Sequence, residues 1–159
     1  MIKSEVGKRI LREMPRVTNE TWPVEDMLRM QPNTFGFQYA SWMQKHSFSS
    51  DARPVVKYVQ DVELAYIMQR YREVHDTLHV LLGYDVSVPE ELAVKWYEMS
   101  ILGLPSAALA SFFGPLNVVG KSIITRDSTD LHKLTTVYMP HILSCLKSSE
   151  NSEFFMNIY

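Results

Sequence analysis

The prolines and glycines at Pro15, Pro23, Pro32, Gly36, Pro54, Gly83, Pro89, Gly103, Pro105, Gly114, Pro115 and Gly120 constrain this chain more than any other feature. They cut it into segments too short for a doubly wound α/β fold and well suited to packed helices. The segment between Pro54 and Gly83 carries the clearest periodicity. From Asp61 to Leu82, the residues Leu64, Met68, Tyr71, Leu78 and Leu82 recur at steps of three and four and predict one apolar stripe on a helix. Gly83 is placed to end that helix as a capping glycine. A second helix is expected from Val88 to Leu102: Ser87 and Glu90 have capping-box spacing, and Pro89 sits where its missing N–H costs little. Leu92, Val94, Trp96, Tyr97, Met99 and Ile101 make that helix apolar nearly all round, so it is expected to be buried.

Shorter helices are expected at Ser106–Phe113 and at Asp130–Lys147, the latter kinked by Pro140. Glu5–Met14 and Phe35–Lys45 also read as helices, with loop between them. Val55–Val59 has strand-like composition, but nothing alternates well enough to build a sheet. The expected fold is mainly α: a single compact helical domain spanning residues 1–159, with a metal site between two adjacent helices.

Composition narrows the function. At 159 residues, 46% hydrophobic and 21% charged, the chain can bury a core without staples. Cys145 stands alone, which excludes an internal disulfide or a cysteine zinc cluster. The net charge is −2, and the one basic-leaning stretch, Lys3 to Arg16, is interrupted by Glu5 and Glu13, so nucleic acid is not an expected partner. The apolar region Ile101–Ile124 contains Gly, Pro, Ser, Asn and Lys and is not expected to span a bilayer, although peripheral membrane contact stays open. The N-terminal residues lack the apolar core of a secretory signal and carry two glutamates, a poor mitochondrial presequence.

The chemistry concentrates in His75-Asp76-Thr77-Leu78-His79. Positions i and i+4 lie one helical turn apart on one face, so two imidazoles there can reach a single ion. Both histidines fall within the apolar stripe and Asp76 lies on its border. Glu91, in the first turn of the next helix, can supply a carboxylate if the two helices pack antiparallel. Two histidines with two carboxylates suit Mn²⁺, Fe²⁺ or Zn²⁺. Plainer roles fit the same residues: Glu91 favours a helix N-terminus and can pair with Lys95, Asp76 can be solvated, and Arg70, Arg72 and Glu73 can form a solvated face. Arg72 is also close enough to the His79 side to bind an anion. Cys145, His132 and His141 read as ordinary helix residues, and the nine methionines as core filler.

The string Gln69-Arg70-Tyr71-Arg72-Glu73-Val74-His75-Asp76-Thr77-Leu78-His79, followed after eleven residues by Glu91, resembles the ubiquinone (coenzyme Q) biosynthesis protein four family. That family's zinc-ligand motif is His-Asp-x-x-His-(x)11-Glu. Asp61-Val62-Glu63-Leu64-Ala65-Tyr66, Val94-Lys95-Trp96-Tyr97-Glu98, Gly103-Leu104-Pro105, Phe112-Phe113-Gly114-Pro115 and Asn157-Ile158-Tyr159 are similar to it as well. The family's usual Asp-Thr-Arg appears as Asp51-Ala52-Arg53, and the chain is expected to be shortened at both ends relative to the family.

The resemblance implies a divalent metal, zinc foremost, held by His75, Asp76, His79 and Glu91. It implies a mitochondrial protein, peripheral on the matrix side of the inner membrane, working with other coenzyme Q biosynthesis proteins in a multisubunit complex. The implied activity is that of a carbon–carbon lyase of the 4-hydroxy-3-methoxy-5-polyprenylbenzoate decarboxylase type, removing the ring C1 carboxylate of a polyprenylated quinone precursor, in an oxidative variant also with C1 hydroxylation. Asp76 or a water on the metal is the candidate catalytic proton donor, Arg72 a candidate substrate anchor, and Met68, Leu78, Leu82 and the Ala107–Phe113 segment candidate lining for the polyprenyl tail. One alternative is a non-catalytic lipid-binding scaffold for that complex. Another is a metal-dependent phosphohydrolase using the His-Asp doublet with His46 and Asp127. A His-Glu-x-x-His peptidase fits less well, because Asp76 replaces its general base.

Overall fold

The computed structural model describes residues 5–102, 105–125 and 128–149. The described residues are helical and contain no strand. The order is α1 (Glu5–Glu13), α2 (Val24–Met27), α3 (Phe35–Lys45), a 3₁₀ turn (Ser50–Ala52), α4 (Val62–Leu82), α5 (Val88–Leu102), α6 (Pro105–Thr125), α7 (Thr129–Lys133), a π turn (Leu134–Tyr138) and α8 (Met139–Ser149). The chain divides into two compact units, one built up to Leu81 and one from Leu82 onward.

In the first unit the core gathers Met27, Tyr39, Ala40 and Met43, with Trp22, Phe35, Trp42 and Val80 against it. Trp22 meets Tyr39 edge-on at 5.3 Å, the arrangement that the ring quadrupoles favour. Thr34 caps α3 by accepting the Phe37 N–H at 3.3 Å. The Asp61 carboxylate accepts the Leu64 N–H at 2.8 Å and starts α4. Gly83 ends it at φ +70°, the left-handed conformation that favours glycine.

Three sequence expectations change here. The segment between the first two long helices holds a turn of helix, α2, entered through extended Pro23. Val55–Val59 forms no strand: the Val56 N–H is taken by the Gln69 side chain at 2.9 Å, and Val55 and Tyr58 face solvent. The apolar stripe of α4 holds only at its C-terminal end, where Leu78 and Leu82 are buried; Leu64 and Met68 are exposed. In their place the N-terminal half of α4 buries Tyr66, Gln69, Arg70 and Glu73, so Arg70 and Glu73 are not a solvated face.

In the second unit Leu92, Val118 and Leu134 form the core, with Trp96, Leu131 and Tyr138 packed on it. The Ser87 hydroxyl bonds directly to the Glu90 carboxylate, a variation on the expected capping box. Helix α6 runs twelve residues past Phe113, through Gly114 and Pro115. Proline at 115 leaves the Ser111 carbonyl without its helical donor, and the Trp96 indole N–H supplies one at 2.9 Å. Gly114 is where α5 comes closest: a Cβ there would lie 2.0 Å from Leu92 Cδ2. The kink expected at Pro140 appears as the π turn just before it, which widens the helix where the ring would otherwise strike the preceding turn. Tyr84 Oη and His141 Nδ1 lie 2.6 Å apart in the same unit.

Candidate metal centre

The site begins with helical geometry. His75 and His79 share one face of α4, and their Nε2 atoms stand 3.3 Å apart with the rings nearly perpendicular. Two nitrogens at that separation, each about 2.05 Å from one zinc ion, subtend an angle of about 107° at it, close to tetrahedral. That separation is compatible with both nitrogens reaching one divalent ion.

The surroundings hold this pair in place. His79 is buried, and the Trp42 ring of α3 stacks on it at 5.4 Å with planes 27° apart. Trp42 also packs against His46 at 4.8 Å, and His46 stacks on Phe48 at 5.4 Å. His46, weighed for a phosphohydrolase site, thus belongs to an aromatic stack behind Trp42; Asp127 lies outside the described residues. Nothing in the periodicity near Trp42 signals its contact with a residue 37 positions along the chain.

Asp76 turns away by one helical step and is buried. Its Oδ1 accepts from an Arg53 terminal nitrogen at 2.5 Å. Arg53 directly follows the 3₁₀ turn and belongs to the Asp51-Ala52-Arg53 string, whose likeness to a family motif was the one sequence signal for it. Arg72, half-buried, donates to the Pro54 carbonyl at 3.2 Å. Burial pushes the nearby Tyr39 phenol above its ordinary pKa, against the lowering effect of its hydrogen bond with Ser50; the Asp76 charge adds to the rise.

Glu73 takes part in a different construction. Arg16 reaches its Oε1 through two nitrogens at 2.8 and 2.5 Å, the Val17 N–H reaches Oε2 at 3.0 Å, and Gln69 adds a bond at 2.9 Å. Burial raises its pKa, but these hydrogen bonds outweigh it and hold the carboxyl below the ordinary glutamate value.

The other predicted residues are placed as follows. Met68 is on the surface of α4, and Leu78 and Leu82 are buried. Glu91 lies in the first turn of α5, in the second unit, half-exposed and 3.9 Å from Lys95. Lys95 is closer, at 2.8 Å, to the wholly buried Glu98, a burial that the helical periodicity of α5 does not signal.

Comparison with known proteins then identifies the lineage. The family model described as coenzyme Q (ubiquinone) biosynthesis protein Coq4 matches residues 1–159. This chain belongs to the Coq4 family. Among curated Coq4 proteins, "Ubiquinone biosynthesis protein COQ4 homolog 2, mitochondrial" of Paramecium tetraurelia is 46% identical over all of this chain and 70% of its own length. The Nematostella vectensis COQ4 homolog is 42% identical over all of this chain and 73% of its own length. The Schizosaccharomyces japonicus protein is 34% identical over all of this chain and 62% of its own length. All three relatives are named as mitochondrial ubiquinone biosynthesis proteins. No solved structure matches the chain.

Proposed function

We propose that this Coq4 chain acts in ubiquinone biosynthesis as a metal-dependent lyase that removes the C1 carboxylate from a polyprenylated 4-hydroxybenzoate precursor. The observation that carries the reading is the convergence of His75 and His79 at 3.3 Å in a chain that the Coq4 family model matches over residues 1–159. His75, Asp76, His79 and Glu91 would hold the ion, zinc being the first candidate. When bound, a divalent ion supplies Lewis acidity that stabilises negative charge as the carbon–carbon bond breaks.

The chain's own residues do the rest. Trp42 keeps His79 in register for the ion. Asp76, held as a carboxylate beside Arg53, is proposed to take a proton from solvent and pass it to C1, which the para hydroxyl makes electron-rich; carbon dioxide leaves, and the electrons of the broken bond return to the ring. Elemental mass spectrometry of the purified chain beside His79→Ala, matched for folding by circular dichroism, tests the metal. Near-stoichiometric metal in the parent and a loss of most of it in the variant is the expected result. Intact folding with no metal in either would move the protein to the lipid-binding scaffold reading.

Membrane contact rests on α6. Its Ser106–Thr125 stretch is long and apolar enough to cross a bilayer by length and composition, with a mean hydropathy of 1.4, which the interrupted Ile101–Ile124 run did not suggest. Ala107, Ser111 and Val118 turn inward, while Leu109, Phe112, Phe113, Leu116 and Ile123 recur on the opposite side. Phe112 and Phe113 are 71% and 63% exposed. We read this face as lying on a lipid surface, consistent with a peripheral place at the mitochondrial inner membrane beside other coenzyme Q proteins. Co-flotation with cardiolipin-containing vesicles should fall several-fold in Phe112→Ser/Phe113→Ser; unchanged flotation of the folded variant would remove the α6 face from consideration.

A further inference from the structure

We infer that Glu98 is a positioning residue for the proposed metal ligand Glu91: it holds the Lys95 ammonium, so that the Glu91 carboxylate stays open to a divalent cation. This role rests on the reading of Glu91 as a ligand and involves residues of α5 alone.

Glu91 precedes Lys95 by four residues on α5, and Glu98 follows Lys95 by three, so the three succeed one another along one side of the helix. A glutamate with a lysine four positions later is the favoured order for a helical ion pair. Here that pair is stretched to 3.9 Å, near the outer limit of an ion-pair contact, while Lys95 Nζ donates to Glu98 Oε2 at 2.8 Å. Burial explains the preference. The Glu91 side chain is 41% exposed, and water solvates its charge; the Glu98 side chain is 0% exposed and needs a cation within the protein. The buried carboxylate therefore takes the lysine, and the half-exposed one keeps only a loose hold on it. Packing alone leaves Glu98 unexplained, because a buried ion pair gives no general gain in stability over apolar residues of the same volume.

Two effects act on a cation at Glu91. A carboxylate engaged by an ammonium has to give up that contact before it ligates an ion, and with Lys95 drawn to Glu98 the contact is already loose. The Lys95 charge also repels a divalent ion, and the Glu98 charge 2.8 Å from Nζ offsets that repulsion. Both effects have one sign. Removing the Glu98 charge alone weakens cation binding at Glu91, and removing the Lys95 charge as well restores it. A glutamate that only filled space in α5 would produce neither change.

The test measures zinc affinity by competition with a chromophoric chelator, in chains matched for folding by circular dichroism. Glu98→Gln keeps the shape and removes the charge; it should bind zinc about tenfold more weakly, and Glu98→Gln/Lys95→Met should recover to within about threefold of the parent. Unchanged affinity in Glu98→Gln, or a loss that Lys95→Met fails to repair, would overturn the inference. Lys95→Met alone removes the competitor and should bind zinc at least as tightly as the parent; weaker binding there overturns the inference without any Glu98 variant. A second measurement needs no metal. The coupling between Glu91 and Lys95, from a Glu91→Gln and Lys95→Met double-mutant cycle in urea unfolding, should at least double once Glu98 is replaced by Gln, and a constant coupling would count against Glu98 equally. A coupling that rises in a chain that binds no zinc removes the metal reading and leaves Glu98's hold on Lys95 standing. Zinc binding indifferent to Glu98 does the reverse.

Discussion

Glu73 and Asp76 are two buried carboxylates three residues apart on the same helix, yet they are treated in opposite ways. Glu73 receives two nitrogens of Arg16, the Val17 N–H and Gln69, and these tie the Pro15–Val17 segment to α4. The same segment is fastened a second time by Tyr66 Oη and an Arg70 nitrogen, both donating to the Pro15 carbonyl, at 2.8 and 2.9 Å. Among the described residues Asp76 pairs with one cation, Arg53, through one of its terminal nitrogens. A buried charge whose acceptor sites are filled by the protein is part of the scaffold. One left with spare capacity, beside two converging imidazoles, is where a ligand can enter.

The largest effect should come from the filled carboxylate. Glu73→Gln keeps the shape but removes the charge that Arg16 and the Val17 N–H were built around, and should cost about 2 to 3 kcal/mol in urea unfolding. The pH dependence follows from its direction. The folded pKa of Glu73 lies below its unfolded value of about 4.3, so its contribution is present above that value and is lost as pH falls through the folded pKa. Stability of the parent should therefore drop on acidification below about pH 4.5, with a shallower drop in Glu73→Gln. Equal acid sensitivity in both would show that Glu73 is not the anchor its geometry describes.

The two carboxylates also differ in how legible they were. The His-x-x-x-His spacing, the start and stop of α5 and the Gly83 cap follow from local periodicity and turn chemistry, and the structure agrees with them. Glu73 read as solvated because its partners, Arg16 and Val17, lie 56 to 57 residues upstream, beyond any helical period. Shorter separations, 23 residues from Arg53 to Asp76 and 37 from Trp42 to His79, hid these two as well. Helix α6 was cut short for a related reason: Pro115 breaks a helix only if the freed Ser111 carbonyl finds no other donor, and Trp96, on another helix, provides one. Local rules located the histidines, while long-range hydrogen bonds decided which neighbouring charges were structural.

The smallest effect on stability, and the sharpest separation of roles, is expected at Asp76. Asn at this position keeps an oxygen for Arg53, and Arg53 is partly solvated, so Asp76→Asn should stay within about 1 kcal/mol of the parent. Metal affinity and turnover should fall instead, by tenfold or more, because an amide is a poor ligand for a divalent ion and no proton donor at C1. Full activity with metal retained in Asp76→Asn would refute the assignment. It would also undo the contrast with Glu73, since a carboxylate that can be neutralised without loss of either stability or chemistry has no work that the spare capacity beside it explains. A loss confined to activity, with metal retained, would keep Asp76 as the acid and leave the ion to His75, His79 and Glu91.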